Sequence, residues 1–141
     1  MIWKTTPSLD DLNASLADTL GGHVGMRFEA IDDESLRMSM PVDARTRQPF
    51  GLLHGGATAA LIETIGSVAS SLCVDLAAGV PVGTELSCSH LRSARRGRVW
   101  ATCTPWRVGR SQHVWAVEVV DDQGKRVCVG RLTVSIVVPR G

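Results

Sequence analysis

The sequence predicts an α+β fold, with one long central helix and an antiparallel β-sheet wrapped around it. Three observations carry this expectation. Residues 57–76 are apolar almost all round, and Glu63 is their one interior charge before Asp75; such a helix is expected to be buried. Four runs with strand character follow, at residues 82–91, 98–108, 112–121 and 126–138, and Gly97, Gly109 and Asp122-Gln123-Gly124 punctuate them as hairpin turns. Two shorter strand-like runs precede the helix. A lone long helix beside a meander of strands buries its surface most simply if the sheet curls around it.

The elements follow in order. Residues 1–7 read as an extended arm. Ser8 caps a short helix running to about residue 20, with Leu9, Leu12, Leu16 and Leu20 near one face. Gly21-Gly22 is expected to end it, and its role is to cover the sheet. Residues 24–31 and 35–42 read as strands joined at Asp32-Asp33; Leu36, Met38 and Met40 alternate with Arg37 and Ser39, the pattern of a half-buried strand. Residues 43–50 form a polar loop leading to His54-Gly55-Gly56. In the long helix, at ~100° per residue, Leu61, Ile65, Val68, Leu72 and Leu76 share one side. Gly56, Ala59, Glu63, Gly66, Ser67 and Ser70 share the other. The helix would span ~30 Å at ~1.5 Å per residue. The small residues Ala59, Ala60, Gly66 and Ser70 are expected to leave room near Glu63 for a ring or chain. Residues 77–81 make a turn, and the closing run RVCVGRLTVSIVV has strong β propensity.

Composition narrows the function. A chain of 141 residues suits one domain over 1–141. A formal charge of +1 argues against nucleic acid or a membrane surface as partner. Cys73, Cys88, Cys103 and Cys128 are widely spaced, with no C-x-x-C. With no signal peptide or membrane-spanning run, they read as reduced thiols of a cytoplasmic protein. No His/Cys/Asp group has metal-ligand spacing, so no metal site is expected.

The chemistry is concentrated between Gln48 and Ser67. A carboxylate in an apolar helix is costly unless it is paired, hydrogen-bonded or functional. The first N–H groups of that helix lack internal partners and carry partial positive charge. With Gly55 and Gly56 allowing close approach, they can polarise a carbonyl and stabilise an oxyanion. Ser67 lies one turn beyond Glu63 on the same face, within hydrogen-bond reach. Read blandly, the glycines are a tight turn and His54 a satisfied loop residue. There is no G-x-S-x-G elbow, no H-E-x-x-H motif and no phosphate loop.

The stretch PVDARTRQPFGLLHGGATAALIETIGS closely resembles the PaaI-like aryl- and acyl-CoA thioesterases of the hotdog fold. MIWK, LDDLNA, VGTELSCSHLR and VGRSQHVW are similar to the subgroup serving menaquinone synthesis and enterobactin proofreading. Gln48, the His54-Gly55-Gly56 turn and the Glu63/Ser67 pair form the most specific combination. The resemblance implies a hotdog fold, hydrolysis of CoA thioesters, and no cofactor, CoA being part of the substrate. It implies a homo-oligomer, at least a dimer and usually a tetramer. Glu63 of one protomer would face Gln48, His54 and Gly55 of the other. Gly55 N–H would hold the oxyanion, and Glu63 would act as nucleophile or general base, with Ser67 orienting it. Gln48 and His54 would position the thioester. CoA contacts are implied at Gly83, at His90, Leu91, Arg92 and Ser93, and at Arg107, Val108, Gly109, Arg110, Ser111 and Gln112. Arg95, Arg96 and Arg98 read instead as a solvated turn. Two rivals remain at this level. One is a hotdog hydratase or dehydratase, which uses a proline-containing motif that is absent here. The other is a non-catalytic acyl-CoA-binding protein, which needs no carboxylate facing the thioester.

Overall fold

Residues 1–138 are described by the computed structural model. The first helix, α1 (Leu9–Ala14), begins where expected: Ser8 Oγ accepts from the Asp11 N–H at 3.1 Å, and the Asp11 carboxylate reaches back to the Ser8 N–H. This reciprocal capping box satisfies two helix-end donors. The helix is shorter than its leucine spacing suggests. The chain turns at residues 15–19, where Asp18 adopts φ 57, and a separate short helix α2 (Leu20–His23) follows. Gly21-Gly22 therefore lies inside a helix rather than ending one. Gly22 has no room for a side chain, since a Cβ would lie 2.2 Å from the Leu16 carbonyl oxygen.

Six strands form one antiparallel sheet: β1 (Arg27–Ile31), β2 (Leu36–Pro41), β3 (Val80–His90), β4 (Arg98–Val108), β5 (Gln112–Asp121) and β6 (Arg126–Val137). Their order across the sheet is β1-β2-β4-β5-β6-β3. Between β2 and β3 runs the long helix α3 (Gly55–Cys73). It ends three residues before the expected Leu76, which lies outside the helix and is exposed. The sheet curls over α3. Leu36, Met38 and Met40 of β2, Val99, Ala101 and Cys103 of β4, Trp115, Val117 and Val119 of β5, and Leu132 and Val134 of β6 are buried with Leu61, Ile62, Ile65 and Ala69 of the helix. Each buried Leu, Ile, Val or Met side chain among them contributes ~1.5–3 kcal/mol. Helix α3 is long and apolar enough to cross a membrane, but half of it is buried inside this sheet.

Ser70 and Gly66 are buried, so the space expected beside them is already filled. The Trp115 Nε1–H donates to Ser70 Oγ at 2.7 Å, and His113 Nδ1 lies 3.0 Å from the same oxygen. At Gly66 a Cβ would meet Leu132 Cδ2 at 2.5 Å. Arg98 is likewise no solvated turn residue. It is half-buried, donates to Ser39 Oγ and to the Gly25 carbonyl, and ties β4 to β2.

Two strands sit at the edges. β1 has 5 residues, while β3 has 11 and is exposed along much of its length. A long unprotected edge invites pairing with another chain.

Candidate active site

The turn before α3 organises one group of residues. Gln48 opens it: its backbone N–H donates to the Leu52 carbonyl at 2.8 Å and its side-chain oxygen accepts from the Phe50 N–H. Gly51, at φ +81, closes the turn, a conformation that favours glycine. Phe50 at the tip is 84% exposed. His54 is the N-cap of α3, and its Nδ1 accepts from the Gly56 N–H at 2.8 Å. That bond places the ring proton on Nε2, and His54 lines a cleft with Leu20, Val24 and Arg45 rather than the one at Gly55. The same bond removes the Gly56 N–H from the set of free donors at the start of the helix. Among the described residues, the Gly55 N–H donates to no protein acceptor. His90 stands over it. A Cβ at position 55 would lie 2.9 Å from His90 Nε2, so any side chain there would push the His90 ring aside. Gln48, Gly55, Thr58 and the His90, Leu91, Arg92 and Ser93 segment line one cleft of about 410 Å³.

A second group surrounds Glu63, two turns further along α3. The Ser67 hydroxyl donates to Glu63 Oε1 at 3.4 Å, a long and weak bond. The carboxylate packs on β3 at Gly83, where a Cβ would lie 2.1 Å from Oε1. The lack of a side chain at Gly83 is what admits Glu63. The β3–β6 pairing shifts register between Gly83 and Glu85, a bulge of the kind often found beside functional sites. Across the sheet, Val82 pairs with Ser135, and Ser135 pairs with Gln112. The turn between β4 and β5 is therefore near. Arg107, Gly109, Arg110, Ser111 and Gln112 line a polar cleft of about 440 Å³ there, with Val108 exposed beside it.

One chain thus holds two half-sites. Glu63 lies eight residues along the helix from Gly55, which is ~12 Å at ~1.5 Å per residue. Gly83 and His90 lie seven residues apart on β3, or ~23 Å at ~3.3 Å per residue. No single thioester carbonyl can touch both Gly55 and Glu63 of the same chain.

Below the second half-site lies a buried polar chain. Ser70 accepts from Trp115, which leaves its own proton for His113 Nδ1. The His113 ring also reaches the Gly109 carbonyl. Burial holds the His113 pKa below its ordinary value, while the Gly109 carbonyl works in the opposite direction. Thr58 and His113 were not anticipated from the sequence, and Ser70 was expected only as a small residue on the Glu63 face; the spacing of Thr58 from Gly55, one turn along the helix, could have pointed to it. The structure also gathers Cys88, His90 and Cys128, whose donor atoms lie within 4.8 Å of one another. Burial pushes the Cys73 thiol up to about 11 and the Cys128 thiol to about 12; it raises Cys103 as well. No disulfide forms among the four cysteines.

A long helix wrapped by a single antiparallel sheet is the hotdog architecture shared with thioester hydrolases. The thioesterase superfamily matches residues 50–128 of the chain. The 1,4-dihydroxy-2-naphthoyl-CoA hydrolase of Escherichia coli is 48% identical over 136 residues, 96% of this chain and 99% of that protein. The proofreading thioesterase EntH of Cronobacter turicensis is 46% identical over 136 residues, covering 96% and 98% of the two chains. The crystal structure of a mutant of thioesterase PA1618 from Pseudomonas aeruginosa superposes with a TM-score of 0.97 at 50% identity, covering 99% of this chain and 100% of that one. The chain belongs to the thioesterase superfamily, and it is a thioester hydrolase.

Proposed function

We propose that the protein hydrolyses aryl- or acyl-CoA thioesters to the free acid and CoA, in active sites shared between two protomers. The observation that carries this reading is the division of the site. Gln48, His54, Gly55 and the 90–93 segment form one half, and Glu63, Ser67, Gly83 and the 107–112 turn form the other. They lie too far apart on one chain to act together. The exposed β3 edge supports a pairing that joins one half of each protomer to the complementary half of its partner. The groove on the outer sheet face, where Trp106 is 68% exposed beside Ala116, Val120 and Val129, supports a second pairing, into a tetramer.

The chemistry follows from the parts. A thiol has a pKa of about 8.5, so a thiolate leaves without a strong general acid. The carbonyl must be polarised and attacked. The Gly55 N–H at the positive end of α3 stabilises the developing oxyanion. Glu63 either attacks the carbonyl carbon or takes a proton from the attacking water. Ser67 orients the carboxylate, and the Nε2–H of His54 and the Gln48 amide position the thioester. Gly83, His90, Leu91, Arg92, Ser93, Arg107, Val108, Gly109, Arg110, Ser111 and Gln112 hold CoA, whose phosphates suit guanidinium and N–H donors. The 48% identity to a naphthoyl-CoA hydrolase supports an aromatic acyl group. The protein acts in the cytoplasm and needs no cofactor.

Thiol release from a panel of aryl- and alkyl-CoA thioesters tests this reading, with turnover of aromatic members expected. Inactive Glu63→Gln and Gln48→Ala chains, unfolded and refolded together, should regain part of the activity, because mixed dimers contain one intact site. An inert panel, or a stable monomer with full activity, would overturn the proposal.

A further inference from the structure

We infer that Cys88, His90 and Cys128 form a soft-metal site, of the class that takes Zn²⁺, in the wall of the Gly55 cleft. Strand register brings the three together. Cys88 and His90 lie two apart on β3 and so share a face. His90 pairs with Cys128 on β6, and Cys88 pairs with Gly130. The two thiols and the imidazole therefore point the same way, toward the start of α3, where His90 stands over Gly55.

The geometry suits a tetrahedral ion. Cys88 Sγ lies 3.7 Å from His90 Nε2, and all three donor atoms fall within 4.8 Å of one another. Zn–S bonds of ~2.3 Å and Zn–N bonds of ~2.0–2.1 Å at tetrahedral angles separate sulfur from nitrogen by ~3.6 Å. Gly130 keeps the space open: a Cβ there would lie 3.2 Å from the Cys88 Cβ and 2.7 Å from Ile62 Cδ1. The donor set is graded in depth. Cys128 is fully buried, Cys88 half-buried and His90 exposed. An ion would thus be held from beneath by Cys128, with His90 the ligand that reaches the cleft. On binding, the two thiols release two protons to solvent, and two thiolates then balance the +2 charge of the ion. Three protein ligands with an open fourth position are the pattern of an accessible site, not a closed structural one.

The consequence rests on the catalytic reading of the cleft. An ion on His90 occupies the space beside the Gly55 N–H, where the thioester carbonyl must sit. Zn²⁺ therefore inhibits hydrolysis reversibly. The binding itself is independent of that reading.

The test uses the fully reduced wild-type protein and Co²⁺ alone. One equivalent per chain should produce thiolate-to-cobalt charge-transfer absorption, which Zn²⁺ abolishes by displacement. Cys88→Ala, at a position outside the proposed catalytic and CoA-binding set, should fold, keep basal thioesterase activity and lose the band. Its affinity for Co²⁺ should fall by more than the ~10–100-fold that loss of an outer-shell partner costs. Zn²⁺ should inhibit the wild type at least ~10-fold more strongly than this variant. Folded, reduced wild type with no thiolate band, or a band unchanged in Cys88→Ala, would overturn the site. A band without Zn²⁺ inhibition would overturn the blocking role alone. If no thioester is turned over, the cobalt titration still decides the site by itself.

Discussion

Replacing Glu63 by Gln tests the mechanism at its centre. The substitution keeps the shape of the side chain but leaves a group that is neither a base nor an anionic nucleophile. Its structural effect should be small. Glu63 makes no salt bridge among the described residues, and its one hydrogen bond, from Ser67, is 3.4 Å long. A glutamine oxygen can accept that bond and sit against Gly83 in the same way. The stability change should stay within ~1 kcal/mol, or roughly 3 °C in Tm for a domain of this size. The kinetic effect should be large. General-base assistance is worth ~10²–10⁴ in rate, so kcat should fall at least ~100-fold, or ~3 kcal/mol. Glu63→Asp should also lose much activity, because a misplacement of ~1 Å can cost ~10²-fold. The assay measures kcat and thermal melting on one preparation of the variant. A folded Glu63→Gln protein with near-wild-type kcat would refute the reasoning and leave Glu63 as a packing residue.

Gly83→Ala should act through Glu63: a methyl group 2.1 Å from Oε1 must displace the carboxylate, so kcat should drop while the exposed edge strand stays folded by circular dichroism. Ser70→Ala should lower stability by ~1–3 kcal/mol for each buried polar group left unpaired, read as a shift in the urea midpoint, because the Trp115 N–H loses its acceptor and His113 Nδ1 its donor. Arg110→Ala or Arg92→Ala should mainly raise KM, since a remote phosphate contact acts equally in ground and transition states. That penalty should vanish with a pantetheine thioester lacking the nucleotide; an equal penalty on both substrates would make the arginines structural. Acid melting should report His113. Its folded pKa lies below the ordinary 6.5, so the unfolded chain binds the extra proton first as pH falls through that value. The contribution of the neutral ring is complete above about pH 6.5 and is lost below it. The decline in Tm below that pH should be shallower in His113→Gln, and an identical slope would show that His113 does not titrate on unfolding.

Local pattern carried much of this fold. The uniform apolarity of residues 57–76 is a property of neighbouring side chains, and it located the central helix to within a few residues at each end. Alternation along Leu36, Met38 and Met40, and the turn glycines at 97 and 124, placed the strands in the same way. The spacing of Glu63 and Ser67 placed their contact, because i and i+4 meet on any helix. The leucines from 9 to 20 misled for the same local reason: their spacing fits one helix, but Asp18 breaks the chain into two short ones.

What needed the tertiary structure was everything set by pairing between distant segments. Strand order is one case: α3 carries the chain across the sheet, so β2 pairs with β4 and β3 lands at the far edge beside β6. Neither composition nor periodicity encodes that crossing. Filling of the small helix face is another, since Leu132, His113 and Trp115 reach Gly66 and Ser70 from strands more than forty residues away. The Cys88, His90 and Cys128 cluster shows no ligand spacing in the sequence because cross-strand register, not sequence distance, sets their separation. The division of the candidate site has the same origin. The helix rise separates Gly55 from Glu63 along one axis, and only the finished sheet leaves an open edge where a second chain could bring them together.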